Sequence, residues 1–167
     1  QATDKKKSTC ISCVRYGNVL GSRGSIIESF KNMKSEDKFK ITHPEMTRFW
    51  MDIQDSVKMV AWSLDNCLGG EIVIPKLKSS KVIDLAKAVD NQKEIEIIGI
   101  RPGEKIHEDM LAETELDFTY EVDKKLMVVL PQYSKKNHVY PSKYIGLHYN
   151  SSLHLDNNVE NLKKLIE

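Results

Sequence analysis

Three short segments carry residues that could hold a charged ligand. The first runs from Arg15 to Ser25, where glycines 17, 21 and 24 permit a positive φ or a close approach to a ligand. Two arginines and an asparagine in the same segment supply donors for phosphate or sugar oxygens. Taken alone, such a segment is more simply interpreted as a surface turn with solvated arginines.

The second segment, residues 41–51, places Thr42 and Arg48 beside an aromatic pair just before a predicted helix. The third puts Arg101 at the carboxyl end of a predicted strand, which is where α/β proteins usually bind ligands. A guanidinium there could hold a diphosphate in bidentate fashion, and Glu104 could accept hydrogen bonds from vicinal hydroxyls. Either segment alone is more often a structural turn with a surface ion pair. The occurrence of all three in this order favours a binding site.

Bulk composition excludes several classes of protein. The chain has 167 residues, 40% of them hydrophobic and 29% charged, which is the composition of one soluble domain with a sizeable core. A net charge of +1 and a basic run confined to residues 5–7 predict no nucleic-acid partner. No apolar stretch is long enough to span a bilayer, and the first residues do not resemble a signal peptide. We therefore expect a cytoplasmic protein with no membrane partner.

Three cysteines suit that compartment. Cys10 and Cys13 have a CxxC spacing, but they lie in a segment that reads as a buried strand, on which positions three apart face opposite sides. Those two sulfurs then cannot share a metal or a disulfide without a kink, and Cys67 is isolated. We expect all three to be reduced residues in or near the core, and we expect no metal site.

Strands and helices alternate along the chain, which predicts an α/β fold. One predicted helix has an apolar stripe that should pack on the core, formed by Val57, Val60, Ala61 and Leu64. Strands are predicted at 10–16, 39–41, 71–75, 95–100, 118–120 and 126–130, with a loop over 132–156. Helices are predicted over 25–34, 52–66 and 157–167, with Ser25 as the N-cap of the first. Two more helices are predicted, one capped by Ser79 or Ser80 and one that begins near Glu104.

With residues 69–76 and 84–86, the three segments resemble the carboxy-terminal half of the polysaccharide-biosynthesis dehydratases of the extended short-chain dehydrogenase/reductase superfamily. The likeness is greatest to the inverting UDP-N-acetylglucosamine 4,6-dehydratases, which begin pseudaminic acid synthesis, and it extends from about Cys13 to Glu121. Residues 140–151 are similar to capsule-precursor dehydratase/epimerases, which leaves the subfamily open. The resemblance implies the last strands of an NAD(P)-binding Rossmann-like sheet interleaved with a smaller UDP-sugar-binding domain, as a single unit over 1–167.

The same resemblance implies roles for particular residues. Asn18 would contact the substrate, Ile26 and Thr42 would line the UDP-sugar pocket, and Arg48 would lie on the phosphate side. Arg101 would face the diphosphate and Glu104 the uridine ribose. The loop that passes under the nicotinamide end of NADP would consist of Val19, Leu20, Gly21, Ser22 and Arg23. Glu28 stands where such sequences usually have proline, so the start of the helix after this loop is a point to test.

The implied reaction moves a hydride from sugar C4 to NADP, removes water across C5 and C6, and returns the hydride to C6. It needs a Tyr-x-x-x-Lys on a helix and a GxGxxG phosphate loop, and the sequence has neither. Tyr120 and Lys124 have the spacing but lie on a predicted strand that runs into a turn. We therefore predict that the chain contains no catalytic residue and is an inactive piece of a homo-oligomeric enzyme. The alternatives are a non-catalytic UDP-sugar-binding or subunit-contact module, a related UDP-sugar epimerase, and a generic α/β domain.

Overall fold

The computed structural model describes residues 9–132, 139–156 and 158–166. Strands and helices alternate through these residues, so the predicted α/β class is confirmed. The strands in the described part of the chain are β1 Cys13–Val14, β2 Asn18–Val19, β3 Phe39–Ile41, β4 Thr47–Met51, β5 Ile72–Pro75, β6 Ser79–Lys81, β7 Ile95–Ile97, β8 Asp109–Leu111, β9 Thr119–Glu121, β10 Leu126–Val129, β11 Ser142–Lys143 and β12 Tyr149–Asn150. The helices are α1 Ile26–Lys31, α2 Ile53–Asn66, α3 Val82–Val89 and α4 Val159–Ile166, with a 3₁₀ helix at Glu113–Phe118.

The chain divides into two compact units, each assembled from three separate stretches of sequence. The first unit comprises Gln1–Tyr16, Gln54–Lys76 and Met110–Tyr149, and the second comprises Gly17–Ile53, Leu77–Asp109 and Asn150–Glu167. Apart from Arg15 and Tyr16, every residue of the three candidate segments belongs to the second unit. The candidate site can therefore be described within one unit.

The first unit is built on a five-stranded sheet in the order β1-β5-β10-β9-β11. Strand β1 runs parallel to β5, and the other neighbours are antiparallel. The predicted pair of strands at 118–120 and 126–130 is confirmed as β9 and β10, joined by a short turn. The central strands form the core because both of their faces are covered, and their fully buried side chains are Val73, Ile74, Met127 and Val128.

Helix α2 begins and ends close to its predicted limits, but the prediction of its buried face is wrong. Val57 is 59% exposed and Leu64 is 80% exposed, whereas the buried side chains are Ser56, Met59 and Ser63. The Ser63 hydroxyl is satisfied inside the helix, since it donates to the Met59 carbonyl at 2.7 Å. Periodicity shows which residues share a face, but it does not show which face meets the core.

Strand β1 is shorter than predicted, and the expected burial of two cysteines is wrong. Cys10 and Cys13 are exposed, Cys67 is partly buried, and all three are free thiols. Among the described residues β1 lies at the edge of the sheet with β5 as its neighbour, and Cys10 precedes the strand. Burial raises the pKa of the Cys67 thiol.

The second unit contains the three-stranded sheet β2-β4-β6 and the parallel pair β3 and β7. Helix α1 starts as predicted, because the Ser25 hydroxyl accepts from the Glu28 amide at 3.3 Å. The Glu28 carboxylate in turn accepts from the Gly24 amide at 2.6 Å, so glutamate can occupy this position without loss of the cap. Two apolar clusters hold the unit together, one of Phe30, Phe39, Ile41, Met46, Val82 and Ala86, the other of Leu20, Ile27, Trp50 and Leu85.

The prediction that Ser79 or Ser80 caps α3 is wrong. Both serines are buried in β6, and Lys81 occupies the N-cap without a side-chain hydrogen bond. The Ser79 hydroxyl donates to the Ser151 carbonyl at 2.5 Å, and the Ser80 hydroxyl accepts from the Trp50 indole at 2.7 Å. The two serine hydroxyls are bonded to residues distant in sequence and are therefore not available to cap α3.

The remaining predictions are confirmed in part. Strand β7 ends at Ile97 rather than at position 100, and the helix predicted from Glu104 is absent from the described residues. The stretch 132–156, predicted as a loop, contains the two-residue strands β11 and β12, while residues 133–138 lie outside the described part. The terminal helix is α4; residues 157 and 167 of its predicted range lie outside the description. Among the described helices none is both long and apolar enough to cross a bilayer.

Candidate functional site

The turn at residues 101–104 presents Arg101 to solvent. The Glu104 amide donates to the Arg101 carbonyl at 3.0 Å, and the Arg101 amide donates to Glu104 Oε2 at 3.2 Å, which closes a tight turn. Gly103 supplies the left-handed conformation that this turn needs, with φ of 80°. The Arg101 side chain is exposed, and its guanidinium makes no hydrogen bond or ion pair with the described residues. This cation is available to a ligand.

The Glu104 carboxylate is held in place from three directions. Besides the Arg101 amide on Oε2, the Thr42 hydroxyl donates to Oε1 at 3.3 Å, and Arg48 Nη2 lies 3.8 Å from the same oxygen. The structure thus brings together one predicted site residue from the third segment and two from the second. A carboxylate has about four acceptor positions, so Glu104 retains capacity for further donors.

Arg48 is buried, and its guanidinium already has protein partners. The residue is 8% exposed. Nη1 donates to the carbonyls of Thr47 at 2.7 Å and Ile106 at 3.1 Å, and Nη2 donates to the Lys105 carbonyl at 3.0 Å. Nε lies 3.5 Å from Glu108 Oε1. The prediction that Arg48 lies on the phosphate side of a ligand stays a prediction, since these contacts are all internal.

A polar network that the sequence did not reveal lies next to Arg48. Thr47 is almost fully buried, and its hydroxyl lies 2.8 Å from His107 Nδ1 and 2.6 Å from the Ser151 hydroxyl. Ser151 also accepts from the Glu108 amide at 2.8 Å. Thr47 and Ser151 are 104 positions apart in the chain, so no local pattern could have joined them.

In the first segment, Arg15 belongs to the first unit, and its side chain bonds to residues of that unit. Its guanidinium donates to both oxygens of Glu115, at 2.6 and 2.7 Å, and to the Met110 carbonyl at 2.9 Å. The bidentate hydrogen bond lowers the pKa of Glu115 and raises that of Arg15. This arginine therefore acts as a structural residue in the fold.

Asn18 and the loop after it begin at the carboxyl end of β4. Asn18 is exposed and pairs with Trp50 through the parallel strands β2 and β4. Leu20 is buried, while Arg23 is exposed and its guanidinium has no partner among the described residues. Ile26, at the start of α1, is partly buried against both apolar clusters.

Three glycines shape this loop in two different ways. Gly21 and Gly24 have φ of 69° and 78°, as expected, and a side chain at either would meet nothing within 4 Å. Gly17 does not have a positive φ. It is needed because a Cβ there would lie 2.9 Å from the Phe49 carbonyl oxygen and 2.7 Å from Leu77 Cδ1.

Strand β4 fixes the distance between the two exposed parts of the site. The amide of its first residue, Thr47, donates to the Ile106 carbonyl at 3.0 Å, and its fourth residue, Trp50, is paired with Asn18. Three residues of strand span roughly 10 Å. The Arg101–Glu104 turn and the Asn18–Arg23 loop are thereby anchored at opposite ends of one short strand.

Comparison with known proteins gives one family. Residues 1–130 match a family described as polysaccharide biosynthesis protein. Over 119 residues the chain is 45% identical to the inverting UDP-N-acetylglucosamine 4,6-dehydratase of Campylobacter jejuni, a match that covers 70% of this chain and 36% of the relative. A UDP-glucose 4-epimerase of Rickettsia massiliae is 40% identical over 113 residues, which cover 65% of this chain and 33% of that protein.

A solved structure shows the same likeness over almost the whole chain. The X-ray structure of Pen from Bacillus thuringiensis matches with a TM-score of 0.82 at 28% identity, covering 97% of this chain and 51% of Pen. The chain therefore spans about a third of the dehydratase and about half of Pen.

Proposed function

Because the chain belongs to the polysaccharide biosynthesis protein family, we propose that it forms the substrate-binding side of a nucleotide-sugar dehydratase acting on UDP-N-acetylglucosamine. The observation that carries this proposal is that one turn presents both the solvent-facing Arg101 guanidinium and the Glu104 carboxylate, which Thr42 and the Arg101 amide hold in place. The named activity of the Campylobacter jejuni relative supports the choice of sugar.

Arg101 and Glu104 suit the two polar parts of a uridine diphosphate. A diphosphate carries about two negative charges and presents oxygens that a planar guanidinium can bind in pairs. The ribose presents two vicinal hydroxyls, which can donate to the positions on Glu104 that the protein leaves open. We assign the diphosphate to Arg101 and the ribose to Glu104.

The sugar is assigned to the opposite end of β4. Asn18 is exposed there and offers both an amide donor and a carbonyl acceptor to sugar hydroxyls. Ile26 contributes an apolar wall, and Thr42 borders the pocket where its hydroxyl meets Glu104. The separation of roughly 10 Å along β4 leaves room for a diphosphate between the ribose and the sugar.

The Asn18–Arg23 loop fits one end of NADP. Open space around Gly21, and an Arg23 guanidinium with no partner in the described part of the chain, would admit an anionic cofactor along Val19, Leu20, Gly21, Ser22 and Arg23. NADP, when bound, supplies the hydride acceptor for oxidation at sugar C4 and the donor for reduction at C6. The loop would position the sugar against the nicotinamide. The Ser22 hydroxyl stabilises the turn of this loop by donating to the Val19 carbonyl at 2.7 Å.

We further propose that the 167 residues alone do not turn over substrate, and that the complete enzyme is a cytoplasmic homo-oligomer. Tyr120 lies on β9 and Lys124 lies in the turn after it, so this pair does not have the helical arrangement that the chemistry requires. The described residues thus position a substrate without a proton-transfer pair of their own.

Epimerisation is the second candidate function, because rickettsial UDP-glucose 4-epimerases match the chain almost as well as the dehydratases do. Proton NMR after incubation of the complete enzyme with UDP-N-acetylglucosamine and NADP separates the two. A dehydratase converts the C6 hydroxymethyl group into a methyl group, while an epimerase leaves it intact. We expect neither product from the isolated chain; turnover by it would contradict its proposed inactivity.

Binding is tested by calorimetric titration of the chain with UDP, UMP and uridine. If Arg101 holds a diphosphate, affinity decreases from UDP to UMP to uridine as negative charge is removed. Equal affinity for all three, or no heat with any of them, would show that the site does not recognise a diphosphate.

A further inference from the structure

We infer that Arg48 is a positioning residue, one that holds the Arg101–Glu104 turn in its binding geometry without touching the ligand. The inference rests on the proposed function, because it concerns the same UDP site. It differs from the sequence-based expectation, which placed Arg48 itself beside the phosphates.

The contacts of Arg48 account for its whole guanidinium. The group carries five N–H donors in a rigid plane. Its three nitrogens meet three carbonyl oxygens, at 2.7, 3.0 and 3.1 Å, and two carboxylates, at 3.5 and 3.8 Å. A phosphate that bound this guanidinium would have to displace one of these carbonyls or carboxylates, and a displaced carbonyl would lose its donor.

Those contacts fall on the segment that directly follows the ligand-facing turn. Arg48 binds the carbonyls of Lys105 and Ile106 and lies beside the carboxylates of Glu104 and Glu108. No helix begins at Glu104 in the described residues, and the carbonyls of Lys105 and Ile106 accept from Arg48. One buried side chain on β4 therefore sets the path of the chain from 104 to 108.

A second set of contacts holds the far end of the same segment. The Thr47 amide donates to the Ile106 carbonyl at 3.0 Å, and the Ser151 hydroxyl accepts from the Glu108 amide at 2.8 Å. Residues 101–103 have no comparable bond to β4 within the described part of the chain. Their position follows from Glu104 and from the anchored segment, so loss of Arg48 should release the Arg101 turn while Ser151 keeps residue 108 in place.

Arg48 also compensates charge at the ligand site. Glu104 and Glu108 would otherwise place two carboxylates next to a pocket that is proposed to bind a diphosphate. Because Arg48 is buried, its charge is poorly screened by solvent and keeps Glu104 turned toward Thr42. Replacement of Arg48 should weaken the binding of an anionic ligand, both because the turn loses its geometry and because the electrostatic potential at the site becomes more negative.

The test compares Arg48→Ala, Arg48→Lys and Arg48→Met in the full 167-residue chain, with Lys58→Ala on α2 as a control that removes an exposed cation. Amide hydrogen exchange is measured without ligand, and UDP affinity is measured by calorimetry with and without millimolar guanidinium chloride.

For Arg48→Ala we expect faster exchange at Thr47 and over residues 104–106, UDP binding weaker by about tenfold, and partial recovery of both when guanidinium fills the vacated site. Arg48→Lys should fall between wild type and Arg48→Ala, because one ammonium cannot reach all the partners.

Two outcomes would overturn the inference. Unchanged exchange over 104–106 with weaker UDP binding would show that Arg48 acts on the ligand through its charge or by direct contact and does not hold the turn, which overturns the inference. Unchanged exchange with unchanged binding overturns it as well. If the wild-type chain does not bind UDP, the proposed function fails, but the exchange result still decides whether Arg48 holds the turn. If Arg48→Ala does not fold, the comparison of Arg48→Lys with Arg48→Met, which keeps an unbranched apolar chain without the charge, gives the same readouts.

Discussion

The Thr42 hydroxyl donates a hydrogen bond to Glu104 across 62 positions of sequence, with 3.3 Å between Oγ1 and Oε1. This bond joins the second candidate segment to the third and fixes one side of the carboxylate to which we assign the ribose. It is a direct physical link between two residues that were selected from the sequence independently.

Thr42→Val should therefore weaken both the fold and the site. Thr42 is 9% exposed, so removal of its hydroxyl should lower the free energy of unfolding by about 1 kcal/mol and leave Glu104 less restrained. Urea denaturation and UDP calorimetry measure the two effects. Thr42→Ser is the matched control, since it retains the donor. If the valine variant bound UDP as tightly as the serine variant, the bond would have no role in the site.

Gly17→Ala should destabilise the second unit. The added Cβ would lie 2.9 Å from the Phe49 carbonyl oxygen, which cannot move without disturbing β4, so we expect a loss of about 1 to 3 kcal/mol in thermal or urea unfolding. Gly24→Asn is the control, because its Cβ would meet open space and asparagine tolerates a φ of 78°. A Gly17→Ala variant no less stable than wild type would mean that close approach is not what requires glycine at position 17.

The orientation of α2 can be tested by a pair of substitutions. Met59 is 2% exposed and Leu64 is 80% exposed. Met59→Ala should cost about 2 to 5 kcal/mol of unfolding free energy, whereas Leu64→Gln should stay within about 0.5 kcal/mol. The reverse order would support the helix face predicted from the sequence.

The Arg15–Glu115 pair predicts a pH dependence of stability. The Arg15 guanidinium lowers the pKa of Glu115 below its ordinary 4.5, so the folded state binds that proton at a lower pH than the unfolded state does. The pair's contribution is complete above pH 4.5 and is lost as the pH falls through the lowered pKa. Since a third of Arg15 is exposed, solvent screening limits this contribution to about 1 kcal/mol.

Glu115→Gln should remove that part of the acid dependence when urea unfolding is repeated across the acid range. Glu36→Gln is the control, because Glu36 is exposed and has no cationic partner in the described residues. Parallel pH profiles for wild type and Glu115→Gln would contradict the assignment.

Local patterns predicted the parts of the fold that local interactions determine. Ser25 caps α1 as expected because its partner is only three residues away, and β9 pairs with β10 across a short turn. The buried face of α2 could not be predicted, because the partner that covers it is distant in sequence. The prediction that Ser79 or Ser80 caps α3 was wrong for the same reason, because these hydroxyls bond to the distant residues Ser151 and Trp50.

The exposed residues of the candidate site could be selected from the sequence, and they stay a prediction, whereas the buried residues that support them could not be selected. Arg101 and Glu104 stand out in a turn whose proline and glycine are visible in the sequence. The part played by Thr47 depends on Ser151, which comes from the far end of the chain, so only the folded structure reveals it. Burial likewise distinguishes Arg48 from Arg101, although the two have the same side chain.

Calorimetric titration of Arg101→Ala with UDP tests the central claim most directly. Arg101 is exposed and its guanidinium is unpaired among the described residues, so the substitution should leave unfolding free energy within about 0.5 kcal/mol. The account predicts that Kd for UDP rises by about tenfold or more, that Arg101→Lys recovers part of the loss, and that Lys58→Ala changes nothing. An Arg101→Ala variant that binds UDP as tightly as the wild-type chain would contradict the assignment of this turn as a diphosphate site.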